Sequence, residues 1–197
     1  MKLRGSLRAF ATAGLVALLL GGSAPGVARD QAPLPPLNQK VLDFSKDHLG
    51  KKVGDGSCVT LAVKALAEAG AYQFPLSRRD GDYVWGEPVA SFRDALPGDI
   101  LQFRDAVFQG KKRYRGGRWE TWHHSYPHHT AVVSKVSDEG KTVLILHQNI
   151  GRAETDDEAK KTVKEWTLKP DSLQKGGWVR IYRPVAANDV PNSPRPR

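Results

Sequence analysis

Gly54-Asp55-Gly56-Ser57-Cys58-Val59-Thr60-Leu61-Ala62 decides how the rest of the chain is read, because it sets the only cysteine of 197 residues at the start of a helix. Two glycines permit a tight approach, and Ser57 or Asp55 can accept a hydrogen bond from the first free backbone N–H groups. An apolar stripe then runs through Val59, Ala62, Val63, Leu66 and Ala69 until Gly70 stops it. Cys58 falls in the first turn. There the unpaired N–H groups and the positive end of the helix dipole favour the thiolate, the reactive form of the side chain. A lone cysteine also serves as a small buried hydrophobe, so the rest of the chain has to decide between the two.

Upstream, Asn38 is placed to cap a first helix whose stripe is Val41, Leu42, Phe44 and Leu49, ending at Gly50. Residues 71–98 read as loop with short pieces. From Pro97-Gly98-Asp99 the periodicity changes, and Ile100-Leu101-Gln102-Phe103 is a strand launched from a turn in which Asp99 acts as a cap. The stretch 104–127 reads as a long excursion, with Lys111, Lys112, Arg113, Arg115 and Arg118 among Tyr114, Trp119, Trp122 and Tyr126. Strands follow at 130–136, 142–148 and 178–182, the first two joined as a hairpin by Ser137-Asp138-Glu139-Gly140, with a further strand at 162–168. Helices first and an antiparallel sheet afterwards make an α+β domain.

The ends carry a different message. Lys2, Arg4 and Arg8 precede the apolar run 9–20, and small residues reach Ala28, the pattern of a secretory signal peptide over 1–28. The run is short of the roughly 20 apolar residues a membrane span needs, so no transmembrane segment is expected after cleavage. A proline-rich linker at 29–37, a domain at 38–186 and a disordered tail at 187–197 complete the expected organisation. These features predict a secreted or periplasmic protein, in which a single cysteine cannot form an internal disulfide. The formal charge of +9 suits attraction to an anionic envelope polymer. The basic residues match no nucleic-acid-binding motif, and no nucleic-acid partner is expected.

A nucleophilic cysteine needs a base, and the base needs an orienting group. His129 opens one strand of the hairpin and His147 ends the next, ahead of Gln148 and Asn149. Residues symmetric about the turn pair, which sets His129 against a position near His147 or Asn149.

A cysteine at a helix start, then Leu96-Pro97-Gly98-Asp99-Ile100-Leu101-Gln102-Phe103, then His129-Thr130-Ala131-Val132-Val133, then His147-Gln148-Asn149, resembles the NlpC/P60 superfamily of papain-like cysteine hydrolases, the CHAP branch above all. The resemblance covers about 38–184. It implies a papain-like α+β fold, N-terminal helices on a small antiparallel sheet, and an activity that cuts amide bonds of cell-wall peptides, as endopeptidase or amidase. It also implies Cys58 as nucleophile, His129 as base and His147 as orienting residue, with Asn149 in reserve. Peptidoglycan or another amide-containing polymer becomes the expected partner, and no cofactor is called for. Where NlpC-type members have Asp-Cys-Ser-Gly and CHAP members Gln-Cys, this chain has Ser57-Cys58-Val59-Thr60, so a second oxyanion donor would come from 55–57. The excursion 104–127 lies outside the family core; it is expected to border the cleft, with Arg118, Trp119 and Trp122, together with Tyr83, as substrate-binding residues.

Two other chemistries compete. His123, His124, His128 and His129 are dense enough to suggest zinc with Cys58, but Pro127 breaks any helix that would align them and no His-Glu-x-x-His spacing occurs, so no metal is expected. The second is a non-catalytic module whose aromatics and cations hold a glycan or anionic polymer, its cysteine site degenerate.

Overall fold

The computed structural model describes residues 33–76, 80–151 and 156–189. The expected signal peptide, the first four residues of the expected linker and the end of the tail lie outside them. Helix α1 spans Pro36–Asp47 and α2 spans Cys58–Ala69. The strands are β1 Glu87–Val89, β2 Ile100–Arg113, β3 Trp119–Ser137, β4 Thr142–His147, β5 Lys164–Leu168 and β6 Trp178–Arg183, with a short helix α3, Asp157–Lys160, before β5. They form one sheet in the order β1-β6-β2-β3-β4-β5, every neighbour antiparallel.

Helix α2 forms where the sequence predicts it. Ser57 is its N-cap, its hydroxyl accepting from the Thr60 N–H at 3.3 Å, and Gly70 ends it in the left-handed conformation at φ 74°. Helix α1 corrects the expectation at Asn38. It starts three residues earlier than a cap at Asn38 would place it, with Pro36 in the first turn, where a missing N–H costs nothing. Asn38 is buried instead. Its Nδ2 donates to the Pro97 carbonyl at 3.0 Å and to Asp99 Oδ1 at 2.7 Å, tying α1 to the turn that launches β2. Asp99 also accepts from the Leu96 N–H and from the Arg183 guanidinium, so it caps the turn, as expected, and anchors β6 as well.

The stretch 104–127 departs most from its sequence reading. It is not a loop: β2 and β3 continue through it in unbroken register from Arg104↔His128 to Arg113↔Trp119. Only Asp105 and Pro127, which face each other, are left out of the ladder, because Pro127 has no N–H to give. The signal is the short apolar run Ala106-Val107-Phe108, of which Ala106 and Phe108 are buried, and the density of cations after it obscured it. The chain reverses through Gly116 and Gly117, at φ 88° and 82°.

Strand alternation divides the core in two. Ile100, Val132, Leu146 and Tyr182 face α1 and α2, against Val41, Leu61, Ala65 and Leu66. Leu101, Phe103, Ala131, Val133, Ile145 and Ile181 face the other way and are covered by Ala106, Phe108 and Tyr126 from the extended hairpin.

Candidate active site

The Cys58 turn is held from three directions. Gly54 and Gly56 take left-handed φ of 56° and 85°, and a Cβ on Gly54 would lie 2.3 Å from Thr60 Cγ2. Asp55 Oδ1 accepts from the Ser57 N–H at 2.9 Å and from the Thr60 hydroxyl at 2.6 Å, bonds that hold its carboxyl down at about 2. From just beyond β4 comes a residue whose role the sequence reading missed. The Oε1 of Gln148 accepts from the Val53 N–H at 3.1 Å, and its Nε2 donates to the carbonyls of Val53 at 3.0 Å and Ser57 at 2.6 Å. A glutamine following a run of buried apolar residues was the available signal, since a wholly buried amide needs partners.

A cleft of about 340 Å³ opens beside the sulfur, lined by Cys58, Tyr83, Gln102, His129 and Thr130, with Asp80 and His128 also in its wall. Gln102, another residue the sequence reading passed over, organises one side: its Oε1 accepts from Trp85 Nε1 at 3.0 Å and from the Thr130 hydroxyl at 3.1 Å. Burial pushes the Cys58 thiol up from its ordinary value, and hydrogen bonds from the backbone of Thr130, Val59 and Cys58 itself oppose that only in part. This corrects the expected thiolate. Desolvation outweighs the helix-start N–H groups.

His129 Nε2 lies 3.0 Å from His147 Nδ1. The register Val132↔Leu146 carried outward would set His129 directly opposite Asn149, so the contact to His147 is a diagonal one. Burial pushes the His129 imidazole down to about 3. Burial also holds His147 well below its ordinary range, helped by the charges of His129, Lys164 and His124. Both rings are therefore neutral near pH 7, beside a protonated thiol. The His129 ring packs among Phe103 and Tyr126, on the second-core face, whereas Gln102 and Thr130 belong to the face of α2. No hydrogen bond joins Cys58 to His129 among the described residues; they share the cleft wall. His147 Nε2 is buried and has no partner among the described residues.

Of the sequence-predicted site residues, the cleft brings together Cys58, His129 and Tyr83, with His147 behind His129. Asn149 is exposed in left-handed backbone at φ 62°. Arg118 and Trp119 sit at the hairpin end, Arg118 over the Tyr114 ring, and Trp122 lines a different cleft with His124 and Trp166. The expectation that 104–127 borders the Cys58 cleft is corrected accordingly. Of the oxyanion donors expected from 55–57, the Ser57 and Gly56 N–H groups are taken inside the loop by Asp55 and Val53. Among the described residues no group of three or more His, Cys, Asp or Glu side chains could hold a metal ion.

The profile of the AIM3/BBC1 cysteine proteinase-fold domain matches residues 37–193. The chain is also similar to Altered inheritance of mitochondria protein 3 of Debaryomyces hansenii, 31% identical over 163 residues that take in 75% of this chain and 16% of the yeast protein. It thus spans about a sixth of that relative's length. No solved structure matches. These findings support a cysteine proteinase fold and do not extend to the NlpC/P60 or CHAP branch in particular. They overturn the expectation of a secreted or periplasmic protein, since the relative is a yeast protein named for the inheritance of mitochondria, a process within a cell. A profile match running from the first turn of α1 past the end of β6, on an α+β fold that opens a helix with its cysteine, settles the kinship: the chain belongs to the AIM3/BBC1 cysteine proteinase-fold domain family.

Proposed function

We propose that this domain is a thiol-dependent hydrolase of amide bonds, with Cys58 as nucleophile, His129 as base and His147 as the residue that holds the base. The observation that carries the reading is the shared cleft: a cysteine in the first turn of α2 and a histidine whose Nε2 is engaged 3.0 Å from His147 Nδ1, which leaves Nδ1 of His129 to accept a proton. Because thiol and imidazole are both neutral at rest, the proton moves to His129 as sulfur attacks the carbonyl, in contrast to a preformed ion pair. The amine leaves with that proton, and water then releases the acyl group as a carboxylic acid and restores the thiol. The Cys58 N–H is the available backbone donor for the oxyanion. Peptidoglycan enters only as one amide-bearing polymer among the substrates to be screened.

The test is a screen of peptide amides with the protein, Cys58→Ala and His129→Ala. The expected result is turnover that falls at least ~100-fold in each variant while the circular-dichroism spectrum is unchanged. Turnover that persists in Cys58→Ala overturns the reading. The non-catalytic module, with a cationic hairpin for an anionic polymer, is favoured by one observation, the protonated buried thiol. It gains if no amide is cut and Cys58 resists iodoacetamide through pH 9.

A further inference from the structure

A second cleft, of about 360 Å³, lies away from Cys58. Its walls are Trp122 and His124 from the extended part of β3, and Glu165, Trp166, Thr167 and Lys169 from β5 and just beyond. Three consecutive residues of one strand line it, and all three are exposed. In a strand, side chains alternate between faces, so neighbours in sequence line one cleft together only along the strand's edge. The topology agrees: among the described residues β5 ends the sheet, with β4 on one side and, on the other, only the bridges of Thr162 and Val163 to Lys52 and Leu49 just before it. Among the described residues, Glu165, Trp166 and Thr167 make no backbone hydrogen bond outside the β4 ladder.

We propose that this edge takes an extended, acidic peptide segment of a partner protein, which adds as a seventh strand and seats a large apolar side chain against Trp166 and Trp122. The chemistry of each wall selects one part of that ligand. An unpaired strand edge offers alternating N–H and C=O groups, which another strand satisfies. Trp166, 38% exposed, meets the His124 ring edge-on at 4.8 Å, and His124 in turn lies 5.5 Å from Trp122, so the three rings form a continuous apolar wall. Charge fixes the rest. Lys169 lines the cleft, and the hairpin that supplies Trp122 runs directly on into Lys111, Lys112, Arg113, Arg115 and Arg118 against a single carboxylate, Glu120. Glu165 is already engaged by the Ser134 hydroxyl at 2.9 Å. The cation excess attracts acidic side chains and disfavours a second copy of the same basic edge.

The probe is a short fluorescein-labelled peptide alternating valine and glutamate, titrated with the full chain and followed by anisotropy. Saturable binding is expected, weakened at least tenfold by Trp166→Ala and by Lys169→Glu. Two further peptides carry N-methyl groups on the odd or on the even amides. Strand addition uses the N–H groups of one edge only, so one of the two should lose at least tenfold and the other keep its affinity within about twofold. Equal binding of both N-methyl peptides, indifference to both substitutions, or no saturation by 1 mM overturns the proposal. A chain that self-associates in sedimentation and dissociates on Trp166→Ala overturns it too, by assigning the edge to a second copy.

Discussion

The two ends of the β2–β3 hairpin are built by the same pairing and have opposite chemistry. Near Ile100 to Phe103 the strands lie between α1 and α2 on one side and Phe108 and Tyr126 on the other, and Gln102 and Thr130 are buried with their partners satisfied. From Lys111 to Glu120 the same ladder runs through exposed side chains, with Trp119 58% exposed and cations resting on Tyr114 and Trp119. Backbone hydrogen bonding is thus shared, while burial is not, and it is burial that decides where a substitution is felt.

Asp99→Ala tests the buried end most severely. It leaves Asn38 and Arg183 facing a void and is expected to cost about 3 kcal/mol, read as a lower urea midpoint at unchanged slope. A loss under about 1 kcal/mol would mean that the cluster does not hold the turn. Gln148→Leu removes three hydrogen bonds to the Cys58 loop and should cost about 1–3 kcal/mol, with faster alkylation of Cys58 by iodoacetamide as the loop opens. Unchanged alkylation would show that the turn holds without β4.

Acid should weaken the buried end selectively. The unfolded chain binds a proton at each histidine near pH 6.5, whereas folded His129 resists until about 3. The unfolded state therefore carries more protons in that window, and stability present above pH 6.5 is lost as pH falls toward 3, by about 1.4 kcal/mol per pH unit for such a group. His129→Gln should flatten the slope of the urea midpoint against pH, and an identical slope would separate the acid response from this ring. The exposed end supplies the smallest effect. Arg118→Ala and Trp119→Ala should each shift stability by less than about 0.5 kcal/mol, and a larger change would reveal packing of the hairpin end against the body.

What could be read in advance follows the same division. The cap, stripe and stop of α2, the Pro97-Gly98-Asp99 launch and the pairing of β3 with β4 are local signals, carried by residues near in sequence. The protonated thiol at Cys58 is not local, because it comes from burial, and the cleft beside the sulfur is lined by residues far along the chain such as Gln102 and Thr130. Gln148 escaped notice for a related reason: its partners lie 91 and 95 positions away. The strands hidden in 104–127 were masked by charge, since cations at an exposed ladder satisfy pairing as well as any residue and leave only the short apolar run Ala106-Val107-Phe108 to betray it.

The unbroken register of that ladder has a consequence for how the domain can change over generations. Residues gained or lost as two facing pairs at a time beyond Gly110 and Trp122 keep every side chain on its own face and leave the Cys58 cleft untouched. The ribbon's reach is thus an adjustable length, while an unpaired insertion of one residue in either arm would turn the cationic face over.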